Sequence, residues 1–207
     1  LKDFTWGGDG WQGSFLRHKG NARSVVNFKP LAQPSINVNN ALAFAIKFRV
    51  SEVSDYTTPV ISCMDDNGTG FQITPSEAKV VSRGNSEVSM KMASGDVYEV
   101  AFVSFPEYTE GASNYEKQNS NMLYLFINGI MVGGIQRGDS DNIYQAIPQN
   151  ISMGSDGATL DVYLMRAWNS FLTDNQILAC YILDQDSVDS LLELYNANDI
   201  LDDNGNI

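Results

Sequence analysis

The acidic residues are the first candidates for chemistry, because two carboxyl groups about 5 to 10 Å apart can hydrolyse a glycosidic bond. Such a pair can stand on one strand face, where alternate residues project to the same side. The acids that lie close together in this sequence occupy turn-like or strand-end contexts instead: Glu52/Asp55, Asp65/Asp66, Asp96/Glu99 and Asp139/Asp141. Since none of these pairs runs along a predicted strand face, we predict no catalytic residues and no enzymatic activity.

Nucleophilic, zinc and phosphate chemistry find little support. The single histidine, His18, lies in the basic stretch RHKGN, which predicts a solvated turn residue and no triad or histidine-based zinc site. Cys63 and Cys180 each lie in an apolar run, PVISCM and ILACYIL, which favours free, buried thiols. No G-x-x-x-x-G-K-[ST] phosphate loop occurs.

Calcium is the one cofactor that the sequence leaves open. Calcium needs hard oxygen ligands, and two turn-like segments, DDNG and DSDN, offer them. Neither segment matches the spacing of an EF-hand loop, and ordinary Asx-turns are the alternative interpretation. The candidate metal ligands are Asp65, Asp66, Asp139 and Asp141.

Aromatic residues outside the alternating core pattern could bind sugars, because an aromatic ring can stack on the apolar face of a sugar ring. Two tryptophans flank the glycine-rich stretch FTWGGDGWQG, which predicts a loop, and two tyrosines lie in the polar stretch 106–121. For the tryptophans, the alternative is that they anchor the N-terminal strand. The candidate glycan-binding residues are Trp6, Trp11, Tyr108, Tyr115 and Tyr144.

The net charge narrows the choice of partner. Lys and Arg number 13 against 25 Asp and Glu, for a net charge of −12. Such a surface repels phosphate backbones and anionic lipids, so nucleic acid and membranes are poor partners. Like-charge repulsion also disfavours acidic glycans, and we therefore expect a neutral glycan or a partner protein.

Short alternating segments dominate the elements that must position these residues. In residues 41–50, ALAFAIKFRV, a large apolar side chain recurs at every second position from Leu42 to Val50, which would put these side chains on one strand face. The segments 96–105 and 122–135 are also rich in β-forming residues. Turn signals separate them, of which Asn128-Gly129 is a clear hairpin signal. This pattern predicts an all-β fold, an antiparallel two-sheet jelly-roll sandwich.

Helical signals fall near the C-terminus. The spacing Thr173-x-x-Gln176 is that of a capping box and predicts a short helix over 173–183, and 186–196 predict a second one. We interpret 1–185 as one domain and 186–207 as a C-terminal helix and the boundary to a following domain. The stretch 106–121 predicts a long polar loop between two strands.

The segment DVYLMRAWNSFLTDNQI carries a family resemblance. It contains in order Asp161, Arg166, Trp168, Asn169, Leu172, Thr173 and Ile177. Together with the upstream stretches Phe126–Gly129 and ISMGS (151–155), this order resembles the laminin-G-like jelly-roll modules of the concanavalin A-like lectin/glucanase superfamily. The resemblance spans roughly residues 14–184. The Glu-x-Asp-x-x-Glu string of hydrolases in that superfamily does not occur here. Arg166 is expected to form a structural ion pair with Asp161 or a neighbouring acid.

The resemblance implies a fold more strongly than a function, because one fold hosts many functions. It implies a non-catalytic, lectin-like carbohydrate-binding or adhesion module of a larger multidomain surface or virion protein, located outside the cell. The alternative is a structural or protein-interaction module of a phage tail, capsid fibre or adhesin without a sugar site. An exposed aromatic platform would favour the first hypothesis, and an extended apolar edge the second.

Overall fold

A computed structural model describes residues 4–9, 13–19, 24–26, 42–64, 68–82, 86–105, 111, 113–137, 151–168 and 170–185. Most of these residues lie in strands, and two helices accompany them. The strands are β1 (Phe4–Asp9), β2 (Gly13–Lys19), β3 (Ser24–Val26), β4 (Leu42–Ser51), β5 (Ile61–Met64), β6 (Gly70–Thr74), β7 (Glu77–Ser82), β8 (Ser86–Lys91), β9 (Val97–Ser104), β10 (Met122–Ile127), β11 (Ile130–Gln136), β12 (Ile151–Met153) and β13 (Thr159–Trp168). The helices are α1 (Asn114–Gln118) and α2 (Asp174–Gln185).

The strands form two antiparallel sheets. A seven-stranded sheet has the order β1-β2-β13-β4-β9-β10-β11, and a six-stranded sheet has the order β3-β12-β5-β6-β7-β8. Strand β13 lies between β2 and β4 in the larger sheet, so a late segment of the chain pairs with two early ones. The predicted antiparallel two-sheet sandwich is confirmed.

The main core lies between the sheets and follows the alternation predicted for β4. Phe44, Ile46 and Phe48 point into it, and Phe71 of the six-stranded sheet packs against Phe44 with ring centroids 5.3 Å apart. Because alternate residues project to opposite sides, the residues between them lie on the outer face of the seven-stranded sheet, the face turned away from the six-stranded sheet. That outer face carries most of the polar chemistry described below.

The predicted hairpin at Asn128-Gly129 is confirmed. These two residues connect β10 to β11 and have φ values of 52° and 77°. Positive φ at both central residues is what a type I′ turn requires, and Asn-Gly is the pair that adopts it most readily.

The prediction of a loop at FTWGGDGWQG is wrong for its first half. Phe4–Asp9 form β1, which pairs along its whole length with β2. Glycine is needed at position 7 because the ring of Phe15 on β2 occupies the space where a side chain would begin: a Cβ on Gly7 would lie 2.4 Å from Phe15 Cε2. Gly7 therefore marks a close approach within the sheet, as glycine in a strand often does.

The histidine prediction is also wrong. His18 lies in β2 and is buried, with its ring edge-on to Phe4 at 5.2 Å between centroids. Gly154 has φ +89° and its Cα faces the His18 ring, since a Cβ there would lie 2.4 Å from Cε1. The basic residues Arg17 and Lys19 favoured the prediction of a turn, but they lie on a strand and project from the face opposite to His18.

Helical structure departs from prediction in two places. Residues 106–121 contain α1, so the described part of that segment is not an irregular loop.

The capping box at the start of α2 is confirmed: the amide of Thr173 donates to Gln176 Oε1 at 2.8 Å, and the amide of Gln176 donates to Thr173 Oγ1 at 3.4 Å. Helix α2 begins one residue later and ends two residues later than predicted. The second predicted helix, 186–196, lies outside the described residues.

Candidate functional site

Two of the predicted glycan-binding residues, Trp6 and Tyr115, lie within the described part of the chain. Trp11, Tyr108 and Tyr144 lie outside it. The structure therefore shows the surroundings of one aromatic residue from each of two predicted groups.

Trp6 stands on β1, at one edge of the seven-stranded sheet. It pairs with Leu16 of β2 and projects from the same face as Phe4, which packs against the main core. Its side chain is nevertheless 78% exposed. A paired edge strand thus presents an indole to solvent, although burying an indole would be favourable. Exposure of this kind is typical of a residue that contacts a partner.

Tyr115 has a different environment. It lies on α1, and its ring meets Phe105 edge-on at 5.8 Å and approaches Phe171 at 6.4 Å. Its hydroxyl donates to Asp174 Oδ1 at 3.3 Å, which links α1 to the first turn of α2. Burial and the nearby Asp174 carboxylate raise the pKa of Tyr115. Much of this ring therefore stabilises the packing of α1, and the exposed remainder is 36%.

Trp6 and Tyr115 do not share a site. Strands β1 and β9 are four positions apart in the sheet order, which corresponds to about 19 Å across the sheet. Trp6 projects from the inner face, whereas Phe105 beneath Tyr115 belongs to a second apolar cluster on the outer face. One shallow sugar site cannot include both side chains.

The predicted metal ligands Asp65, Asp66, Asp139 and Asp141 all lie outside the described residues. Within the described ranges, no group of three His, Cys, Asp or Glu side chains is placed to hold a metal ion. Asp55, from another of the acid pairs, is an Asx-turn residue: its Oδ1 accepts the amide of Thr57 at 2.8 Å and its Oδ2 the hydroxyl of Thr58 at 2.5 Å. These hydrogen bonds hold the pKa of Asp55 well below its usual range.

A cluster of charge occupies the outer face where β2, β13 and β4 meet. The side chain of Asp161 is fully buried, and Arg17 approaches it side-on, with Nε 2.6 Å from Oδ1 and Nη2 2.8 Å from Oδ2. Arg49 donates to Oδ2 from the other side, with Nη2 at 2.9 Å. The side chains of Arg17 and Arg49 are 38% and 27% exposed. We call Arg17, Arg49 and Asp161 the arginine cluster.

Aromatic rings support the arginine cluster from below. The guanidinium carbon of Arg17 lies 4.8 Å above the ring centroid of Phe15, and that of Arg49 lies 6.0 Å from it. Tyr163 meets the same ring edge-on at 5.4 Å. Both guanidinium groups are thus held by a carboxylate and by a ring face, a combination suited to arginine rather than lysine.

A second polar cluster is buried between the outer face and α2. Glu99 of β9 faces Lys47 of β4 in register, and Lys47 Nζ donates to the backbone oxygen of Asp184 at 2.7 Å. Arg166 pairs with the Asp184 carboxylate. Burial, and then the Asp184 charge, raise the pKa of Glu99 to about 7, against the opposing influence of Arg166 and Lys47. Cys180 of α2 also contacts Arg166. We call Glu99 and Asp184 the buried acid pair.

The buried acid pair corrects two expectations. Glu99 lies inside β9 rather than at a strand end, and it is 4% exposed, so a substrate cannot reach it. Arg166 pairs with Asp184 and not with Asp161, because five residues along a strand separate Arg166 from Asp161 by about 16 Å. The prediction of a structural ion pair for Arg166 is confirmed with that different partner. Both cysteines are free, Cys63 buried and Cys180 partly so.

An exposed apolar patch lies where α2 meets the β10–β11 hairpin. Helix α2 packs on the hairpin turn, since a Cβ on Gly129 would lie 3.0 Å from both Leu178 and Tyr181. The exposed members of this patch, which we call the α2 patch, are Met131, Leu178, Ile182 and Leu183. Among the described residues, no helix is long and apolar enough to cross a membrane.

Comparison with known proteins places the fold and no family. No family model matches the chain, and no curated protein is similar to it in sequence. Solved receptor-binding domains of botulinum neurotoxins share the sandwich. The type G domain is 9% identical over 87% of this chain with a TM-score of 0.56, and the serotype D domain is 12% identical over 86% with a TM-score of 0.56. The neurotoxin DC domain, solved in complex with SialylT, is 11% identical over 88% with a TM-score of 0.57.

These likenesses establish the β-sandwich alone, because the identities are low. The chain spans 44% of the type G and serotype D domains and 46% of the DC domain. More than half of each neighbour therefore has no counterpart in this comparison.

Proposed function

We propose that this chain is a non-catalytic carbohydrate-binding module of the laminin-G-like type, working outside the cell as part of a larger surface or virion protein. The observation that carries the proposal is the exposed indole of Trp6 on the strand at the edge of the larger sheet. An indole in this position can stack on the C–H face of a sugar ring without any rearrangement of the backbone.

The neighbours of the fold support a glycan partner. The description of the DC domain names SialylT, and another serotype D structure is described in complex with N-acetylneuraminic acid. Those glycans belong to whole domains, of which this chain matches less than half. They therefore support the class of ligand and not the position of the site.

The proposal of no catalysis rests on the accessibility of the acids. Asp161 and Glu99 are strand carboxyls on the outer face, but both are buried, the first between two arginines and the second beneath α2. A glycosidase needs two carboxyl groups that reach the scissile bond from opposite sides. We expect no release of reducing ends from laminarin or xylan, and release at an enzyme-like rate would contradict this part of the proposal.

The test is a glycan array on the purified chain, followed by titration calorimetry with the best neutral oligosaccharide. We expect a Kd of about 10 µM to 1 mM, since a few stacked rings must offset the freedom lost on association. Trp6→Ala should weaken binding at least about tenfold, the loss of about 1.4 kcal/mol of stacking. Its melting temperature should hardly change, because the side chain is mostly exposed.

Tyr56→Ala is the matched control, because Tyr56 is also an exposed aromatic residue, at 50%, in the segment between β4 and β5. It should bind sugar as the parent chain does. Equal affinity of the Trp6→Ala and parent proteins would exclude Trp6 as the sugar contact, and an array without any bound glycan would overturn the proposal.

The α2 patch favours a second candidate function, a protein-interaction module. Four exposed apolar side chains lie on α2 and the adjoining strand there, and exposed apolar surface commonly marks a protein interface. Under this alternative, Ile182→Asp would abolish association with a partner protein or a second copy in sedimentation experiments. Trp6→Ala would then leave association unchanged, which separates the two candidates.

A further inference from the structure

We propose that the arginine cluster is a second binding site, separate from Trp6, that binds the anionic group of an acidic sugar through Arg17 and Arg49. The shared chemistry is a carboxylate or sulfate on a sugar ring. The inference rests on the proposed function in one respect, that a sugar carries the anion.

The arginine cluster contains more positive than negative groups. Within the arginine cluster itself, two guanidinium groups meet one carboxylate, Asp161, so these three groups together carry one net positive charge. Asp161 accepts from Nε and Nη2 of Arg17, so the Nη1 amine takes no part in that ion pair. A guanidinium has five N–H donors, and it can present one edge to each of two anions.

The fold holds the two guanidinium groups of the arginine cluster in place. Asp161 and the ring of Phe15 fix both guanidinium groups before any ligand arrives, with the Arg17 carbon 4.8 Å from the ring centroid. A long, flexible side chain normally loses conformational entropy on binding, and here the fold has already ordered it. The side chains remain 38% and 27% exposed, so a ligand can reach them.

The groups of the arginine cluster stay ionised at neutral pH. Hydrogen bonds and proximity to Asp161 raise the pKa of Arg17. Burial alone would raise the pKa of Asp161, but the hydrogen bonds and charges of the two arginines lower it overall. The cluster therefore keeps its net positive charge throughout the neutral pH range.

Exposed polar and charged side chains surround the arginine cluster. Thr5 lies opposite Arg17 in the register of β1 and β2 and is exposed on the same face, where its hydroxyl can meet a sugar hydroxyl. Lys19 adds a further exposed cation and pairs with the exposed acid Glu52, with Nζ 3.6 Å from Oε2. The negative charge of Glu52 weakens the local positive field at Arg17.

The net charge of −12 argues for neutral glycans only when it is averaged over the chain. Salt screens exposed charges over about 8 Å at physiological ionic strength, so an anion at the arginine cluster responds mainly to the nearest groups. The site is also distinct from Trp6, since Trp6 projects from the inner face of the sheet and the arginine cluster from the outer face.

The experiment compares three ligands built on one disaccharide: lactose, 3′-sialyllactose and 3′-sulfolactose. We expect at least one acidic ligand to bind about tenfold or more tighter than lactose at low salt, and the difference to shrink as salt is added. Arg17→Gln should remove this preference. Lys79→Gln is the matched control, because it deletes one part-exposed, ion-paired cation from the other sheet and should leave the preference intact.

Glu52→Gln provides an arm that does not disturb the core. Its amide oxygen can still accept from Thr159 Oγ1, as the carboxylate does at 2.8 Å. Loss of the negative charge should tighten acidic ligands by about threefold and leave lactose unchanged. This result would support the site even if Arg17→Gln folded poorly.

The outcomes separate this site from the first. A preference for acidic ligands that survives in Trp6→Ala supports a second site, and whether sialyllactose or sulfolactose binds more tightly identifies the anion. Equal affinities for all three ligands, or a preference untouched by both Arg17→Gln and Glu52→Gln, would overturn this inference while leaving Trp6 as a sugar contact. Binding of none of the three ligands would overturn it outright.

Discussion

Asp161 shows how one side chain can determine the arrangement of three strands. Its carboxylate is fully buried, and its partners come from β2 and β4 on either side of β13. Removing it would leave two arginines held close together without a counter-ion. Because both arginines are part-exposed, water would compensate for some of this loss.

We therefore expect Asp161→Ala to lower the free energy of unfolding by about 3 kcal/mol, the lower end of what breaking a buried ion pair costs. Urea denaturation measures this value. Glu87→Ala breaks the more exposed pair with Lys79 and should cost less than about 1 kcal/mol. A cost for Asp161→Ala no larger than that of Glu87→Ala would contradict the structural role.

At the scale of the element, α2 is defined at its start by a local signal. The Thr173–Gln176 capping box satisfies backbone donors that the first turn cannot pair internally. Thr173→Ala should lower the free energy of unfolding by about 1 kcal/mol in thermal or urea denaturation. Thr173→Ser, which keeps the hydroxyl, should cost only a few tenths of that, and equal losses in the two variants would exclude the cap as the cause.

The far end of α2 contacts the buried acid pair through Asp184, and we expect the docking of the helix to depend on pH. The charged groups that face Glu99 are Lys47 from β4, Arg166 from β13 and Asp184 from α2. In the folded chain the pKa of Glu99 is about 7, above the ordinary value near 4.5. The folded state therefore binds this proton more tightly than the unfolded state.

We expect the contribution of Glu99 to stability to fall as the pH rises from about 4.5 to about 7, and to stay low above that. Glu99→Gln, whose amide can donate to Asp184 as the protonated acid does, should flatten this part of the curve and stabilise the chain above pH 7. Thermal unfolding across this pH range measures both effects.

Glu77→Gln is the control of opposite sign. Its hydrogen bond to Lys91 lowers the pKa of Glu77, so that carboxylate contributes stability above its ordinary pKa and loses it as the pH falls. The substitution should weaken the chain at neutral pH. A Glu99→Gln protein with the parent's pH profile would show that the buried acid pair does not govern the docking of α2.

The same elements show which features the sequence could predict. The alternation of β4, the Asn128-Gly129 turn and the capping box are local patterns, and each predicted the structure that forms. The arginine cluster was missed because its residues are 112 and 144 positions from Asp161 and meet only through strand register. His18 and the strand β1 were misread because basic and glycine residues resemble turn signals until the register shows which face they occupy.

At the scale of the whole molecule, the three surfaces described here occupy different faces or opposite edges of the seven-stranded sheet. Trp6 projects from the inner face at one edge of the seven-stranded sheet, the arginine cluster lies on the outer face near that edge, and the α2 patch lies beside β11 at the opposite edge. Trp6 and Arg17 lie on neighbouring strands, but their side chains project to opposite faces and contact different partners. Substitutions that share no partner act nearly independently. Each surface can therefore be tested without altering the other two.

Calcium remains a proposal at this scale, because its candidate ligands fall in two segments, 65–66 and 139–141, that lie outside the described residues. A cation that binds only the folded chain stabilises all of it by linkage, by about 2.7 kcal/mol at a hundredfold excess over its Kd. We expect the melting temperature in calcium to exceed that in a chelator, and magnesium to substitute poorly because it demands a tighter octahedral shell. Asp65→Asn and Asp139→Asn, made separately, should show which segment holds the ion by abolishing the shift. Identical melting curves in calcium and chelator would remove the ion from the account of this protein.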